Sequence, residues 1–167
     1  MAVLGVGASQ SVVREVPRRR GRGALSVEMA VIAPILMIFL FGTVELGLIM
    51  RDVMVLNSAA REAARTASLG LANTAIVDRA KAAATGLPPA NVTVTLDYRT
   101  YSGGTWSGWT TLTSTGGNNN APSGAQIRVR VTYPHPLVVG RLFTSLLATN
   151  TTNNTMTVGA TMTMMRE

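Results

Sequence analysis

The 167-residue chain has no cysteine, one histidine and eight acidic residues, and these few groups limit the chemistry open to it. Without thiols, a zinc–thiolate site, an iron–sulfur cluster, a disulfide framework and a cysteine nucleophile are all excluded. A serine–histidine–aspartate site would have to use His135, which stands between Pro134 and Pro136 with no supporting partner in the sequence. The acids beyond the apolar segment are Asp52, Glu62, Asp78, Asp97 and Glu167, and no two have the spacing of a catalytic carboxylate pair or a calcium loop. Gly103-Gly104 and Gly116-Gly117 sit beside turns rather than before a helix, so neither is a phosphate cradle. The residues therefore speak against an enzyme, and no metal or cofactor is implied. What remains is a glycine, Gly23, followed by Glu28 and Glu45 in a stretch that is otherwise uncharged from 24 to 50.

That stretch explains how a chain with 47% hydrophobic residues has only 5% aromatics. Residues 29–44 (MAVIAPILMIFLFGTV) carry no charge and show no polar face over four turns, unlike a surface helix of a soluble core. As a helix, 24–50 would extend about 40 Å, against about 30 Å for a hydrocarbon core. Before it lie Arg14, Arg18, Arg19, Arg20 and Arg22 against Glu15 alone, a net +4; after it Arg51 is offset by Asp52. This bias places the N-terminus in the cytoplasm and 51–167 across the membrane. The arginine run abuts a spanning segment and no aromatic–basic groove pattern accompanies it, so nucleic acid is not the expected partner. The apolar run is longer than a secretory h-region, and no A-x-A type site precedes Arg51.

The boundary reads Arg22-Gly23-Ala24-Leu25-Ser26-Val27-Glu28. It resembles the processing site of type IV prepilins, in which a membrane aspartyl peptidase cuts after a glycine that follows a basic leader. Here the resemblance implies a cut between Gly23 and Ala24, with Glu28 fifth in the mature chain. The residues support this on physical grounds as well. Gly23 has no side chain to block access to an extended scissile bond. A carboxylate at depth in lipid is costly unless paired. Cleavage creates an ammonium at Ala24, about one helical turn from Glu28, and a neighbouring subunit's ammonium could pair with that carboxylate and set the stagger between helices. The plainer alternative is that Glu28 snorkels to the interface.

The run RGALSVEMAVIAPILMIFLFGTVELGLIMRDVMVLNSAAREAARTAS resembles the N-terminal region of TadE-like proteins, the pilin-like components of tight-adherence (Tad, or Flp) pilus systems. The features that carry the resemblance are Arg22-Gly23, Val27-Glu28, Ala30, Pro34, Gly42, Glu45, Gly47 and the stretch from Asn57 to Arg65. It implies a minor pilin or pseudopilin acting in pilus assembly and adhesion. Its implied partners are a prepilin peptidase, other pilins packed helix to helix, and the platform in the bacterial inner membrane. The related TadF and short TadG-like proteins fit the same features. About a hundred residues beyond 66 favour a minor component over the main shaft. The rival from another class is an unprocessed, membrane-anchored binding module whose head, with Trp106, Trp109 and Asn/Thr loops, meets an extracytoplasmic ligand.

Within the span, Pro34 removes a backbone donor and can kink the helix, Gly42 offers a small packing surface, and Glu45 is a second acid near the far end. Glu45 is relieved there by water or Arg51, or meets a basic group on a partner pilin. The expected organisation is a basic cytoplasmic leader at 1–23, a transmembrane helix at 24–50 and a helix extension at 51–69. A short helix and linker at 70–90 and a β-rich extracytoplasmic head at 91–167 complete it. Residues 51–69 contain no Gly or Pro and are rich in Ala; Val53, Leu56, Ala60, Ala63 and Ala67 share one face. A second helix is predicted at about 74–85. Period-two alternation at 91–100, 126–132 and 155–164 predicts strands, with a weaker candidate at 105–113. The fold class is α+β: a single-pass N-terminal helix followed by an antiparallel sheet of three or four strands with one face on the helix. The segment 114–123 is expected to be an exposed, flexible connection, as is 150–155, and 133–137 a hairpin-like connection before the last strand.

Overall fold

The computed structural model describes residues 21–138, 140 and 154–167. Most of the expected leader and the 150–153 part of the polar loop lie outside the described residues. The chain divides into two units, 1–37 and 38–167.

Helix α1 runs Gly21–Ser68 and includes Pro34. In the first unit its described residues are helical throughout, and the described side chains of 25–37 are exposed except for the partly covered Ala33. Within α1 lies a segment long and apolar enough to cross a membrane, none of it buried in the protein. Exposed Leu, Ile, Met and Phe side chains along 25–41 are what lipid would cover.

In the second unit α1 changes character. Leu56, Ala59, Ala60, Ala63, Ala64 and Ala67 are all buried, and they recur at the three- and four-residue spacing of a single helical face. Because five of these six are alanines, the neighbouring layers approach the backbone closely. The helix stops at Gly70, whose φ of 82° is the left-handed conformation that ends helices with little steric cost. Helix α2 follows at Asn73–Ala83, close to the predicted 74–85, and buries Ile76 and Ala80. No side chain caps α2 through Ala72; instead Ser114 Oγ accepts from the Asn73 N–H at 2.6 Å, satisfying one of the donors a helix start leaves open. A 3₁₀ turn at Pro89–Asn91 leads into the sheet.

The strands are β1 (Thr93–Arg99), β2 (Tyr101–Ser102), β3 (Thr105–Trp106), β4 (Thr110–Thr111), β5 (Ser114–Thr115), β6 (Asn118–Asn119), β7 (Gln126–Pro136) and β8 (Thr155–Met165). Four form an antiparallel sheet in the order β4-β1-β7-β8. The pairs β2–β3 and β5–β6 make two small hairpins. The alternation in the sequence is the alternation of burial. Ile127, Val129, Val131 and Tyr133 of β7 and Val158 and Ala160 of β8 join the α1 alanines in one core, while Arg128, Arg130 and the threonines take the other face. This is the expected α+β architecture, with four strands.

The structure departs from the sequence reading in two loops. The weak candidate strand at 105–113 is interrupted: β3 and β4 are two residues each. The segment 114–123, expected to be flexible, contains the β5–β6 hairpin and buries Asn119. The Asn119 side-chain amide donates to Ala67 O at 3.0 Å and Leu71 O at 3.1 Å, and its backbone N–H to Gly70 O at 2.9 Å. Carbonyls at the end of α1 need donors, and this hairpin supplies them from fifty residues away. Local composition carries no trace of that demand.

Close packing within the sheet gives a test. Gly159 of β8 pairs with Thr132, and a Cβ built on it would lie 2.9 Å from Thr132 Cγ2 and 3.0 Å from Val131 O. Replacing Gly159 with Val should therefore destabilise the head by about 1–3 kcal/mol, the usual cost of overpacking. Thermal unfolding of the full chain in detergent reads this out, and an unchanged midpoint would mean that the β7–β8 contact is looser than described.

Candidate functional site: the apolar helix and its exit

The residues singled out in sequence fall along α1. Gly23 and Ala24 lie in its first turn. A side chain at Gly23 would meet nothing within 4 Å among the described residues. Glu28 is exposed on the helix surface, as is Pro34.

Farther along, a site is built that the sequence reading did not assemble. Glu45 and Asp52 are seven residues apart, two helical turns, and so share one face of α1. Both are buried, with 7% and 5% of their surface exposed. Against them stands His135, also buried at 5%. Its Nδ1 lies 2.7 Å from Asp52 Oδ2, and its Nε2 lies 3.8 Å from Glu45 Oε1. A carboxylate accepts, so Nδ1–H is the donor to Asp52. The Nε2–Glu45 separation exceeds hydrogen-bonding distance, and Nε2 has no hydrogen-bond partner among the described residues. Glu45 is engaged on its other side, where the Val138 N–H donates to both carboxylate oxygens, at 2.9 and 3.0 Å. Two acids of the helix thus hold the end of β7 and the residues just after it.

His135 reaches this position because β7 is longer than expected. The segment 133–137 was predicted to be a connection, on account of its prolines; β7 in fact continues to Pro136, paired with β8 throughout. Its pairing with β1 ends at Thr132. Beyond that point one edge of β7 has no strand beside it, which is where prolines, lacking an N–H, are tolerated. The usable signal was the alternation itself: Ile127, Val129, Val131 and Tyr133 place His135 on the buried face.

Beside the carboxylate of Glu45 runs an open groove of about 480 Å³, lined by Ile38, Phe39, Gly42, Thr43, Glu45, Leu46, Leu137 and Gly140. Gly42 has nothing within 4 Å of where a Cβ would stand, which keeps this surface low. Three of the in-span residues therefore differ in setting: Pro34 is exposed, Gly42 borders a groove, and Glu45 is turned inward onto its own chain. No group of three or more His, Cys, Asp or Glu side chains suited to a metal ion occurs among the described residues. The three ionisable groups flank one another across the imidazole rather than converging on a common point.

The family model described as TadE-like protein matches residues 23–65, about a quarter of the chain. The matched segment begins at Gly23 and includes Glu28, Pro34, Gly42, Glu45, Asp52 and the buried alanine face through Ala64. No curated protein and no solved structure matches the chain.

Proposed function

We propose that this chain is a minor pilin or pseudopilin of a Tad-type, type IV-like pilus, cut after Gly23 by a prepilin peptidase and acting in pilus assembly and adhesion. The observation that carries the reading is that the TadE-like segment coincides with the exposed apolar helix and starts at the glycine of the proposed cut. TadE-like proteins are pilus-associated and in general not enzymes, which fits the lack of a catalytic constellation in the sequence.

The mechanism follows from the elements. The basic leader holds the N-terminus on the cytoplasmic side of the inner membrane, and the peptidase removes 1–23. The apolar helix then packs beside helices of other pilins, and the assembly platform draws it out of the bilayer. Glu28, an exposed carboxylate in an apolar surface, is costly in lipid without a cation; the new ammonium of a neighbouring subunit supplies one and fixes the axial register. Pro34 and Gly42 shape the packing surface. Glu45 belongs to a different task, holding the head to its own helix.

Replacing Glu28 with Ala tests the register role. Cleavage after Gly23 should continue, while incorporation into pili falls roughly tenfold or more, equivalent to losing about 1.4 kcal/mol per subunit contact. Normal piliation by that variant would remove the role assigned to the carboxylate. The unprocessed binding module stays as the second reading because of the aromatic surface described next, and the N-terminus of the mature protein separates the two.

A further inference from the structure

Both tryptophans of the chain gather at one end of the head, on the sheet face turned away from the core, with arginines between them. The β2–β3 hairpin turns on Gly103 and Gly104, with φ of 58° and 83°, and brings Trp106 back to 5.1 Å from Tyr101, ring centre to ring centre. The Arg99 guanidinium lies 4.9 Å from the centre of Trp106 and 4.6 Å from that of Trp109. The Arg128 guanidinium lies 4.0 Å from the centre of Trp109 and bonds Asp97 Oδ2 at 2.6 Å. The outcome is a ladder that starts with the Tyr101–Trp106 ring pair and then alternates guanidinium and aromatic groups: Arg99, Trp109, Arg128. Arg130, two residues along β7 on the same face, is exposed. Tyr101 and Trp106 are 58% and 38% exposed.

We propose that this ladder is a binding surface for a carboxylate-bearing polysaccharide. Three arginines stand there against one acid, Asp97, leaving a net charge of about +2 that selects an anionic polymer. The indole rings orient the Arg99 and Arg128 guanidiniums without consuming their N–H donors. Arg99 uses its Nε to reach Gln126 Oε1 at 2.6 Å, and its terminal nitrogens have no protein acceptor among the described residues. A planar fork presented in this way matches a carboxylate. Threonine hydroxyls border the arginines, since Arg128 pairs with Thr163 and Arg130 with both Thr95 and Thr161. Those hydroxyls suit a hydroxyl-rich chain. A single-stranded nucleic acid would need open aromatic faces for its bases, yet each indole already carries a guanidinium over its ring. The inference goes beyond the pilus reading and needs no assembled filament, so it stands or falls separately from cleavage at Gly23.

The test uses the full chain in detergent, with polygalacturonate as the probe and neutral dextran and single-stranded DNA as comparisons. Binding of polygalacturonate, weakened by salt and absent for dextran, is expected. The double variant Arg99→Gln, Arg130→Gln should bind roughly tenfold or more weakly while staying folded, with a melting temperature lowered by no more than a few degrees, because neither residue belongs to the core. Trp109→Ala, which removes the ring that orients both guanidiniums, should weaken binding as well. Failure to bind polygalacturonate, equal or tighter binding of DNA or dextran, or undiminished binding by the double variant would each overturn the proposal.

Discussion

Replacing His135 with Ala should destabilise the head by about 1–3 kcal/mol, the cost of leaving a buried hydrogen-bond acceptor unsatisfied. Asp52 would lose its 2.7 Å partner while remaining 5% exposed, and Glu45 would keep only its neighbours beyond the ring. Asp52→Asn is the discriminating companion. Its side-chain oxygen still accepts from Nδ1–H, so most of the geometry survives and the loss should be a fraction of that for His135→Ala. Thermal unfolding of the full chain in detergent measures both. Amide exchange at Val138 gives a local reading, because that N–H donates to both oxygens of Glu45. It should exchange faster in the His135 variant. Equal, small effects from both substitutions would mean that the three groups merely share a cavity.

Under the proposed function, that cluster has a mechanical role. A pilin helix pulled from a membrane carries its head by whatever holds the two together near the exit. Here the apolar core of α1 and the sheet begins around Leu56. Between that core and the exposed apolar segment, Glu45 and Asp52 bond Val138, just past β7, and His135 at its end.

The second large effect concerns processing, which the proposal makes the first step of maturation. Gly23→Val should lower cleavage by about a hundredfold or more, on the scale of displacing a scissile bond by an ångström in an active site. No described residue lies within 4 Å of a Cβ at that position, so the variant should fold normally and any loss reflects the peptidase rather than the substrate's stability. The uncut protein would accumulate in the membrane and pili would be missing. Efficient cutting of Gly23→Val at the same bond would show that the small residue is not what the peptidase reads.

How far the sequence carried the reading depended on whether each element was set locally or from a distance. The membrane-length helix was legible because an uncharged run needs no partner to declare itself. The strands β1, β7 and β8 were legible because Val, Ile, Leu and Met alternate with Thr and Arg, and burial has the same period. The buried face of α1 followed from alanine spacing. Three things were hidden. His135 stood between two prolines, and local rules made it a loop; its place became clear only once the β1–β7 pairing ended at Thr132. Asn119 looked like one asparagine in a polar, glycine-rich stretch, although the end of α1 determines its conformation. Glu45 was weighed as a solvated or intersubunit acid, whereas it is buried and accepts the Val138 N–H, 93 residues away. Each is a polar group whose partner lies far off in sequence, and hydrogen-bond demand leaves no periodic mark.

The central claim is that the functional protein is a processed pilin, and the intact mass of the protein purified from its native membranes tests it most directly. The account expects a chain that begins at Ala24 and contains 167 − 23 = 144 residues, replaced by the full-length form when the prepilin peptidase is deleted. A protein that retains residues 1–23 while the peptidase is active would contradict it.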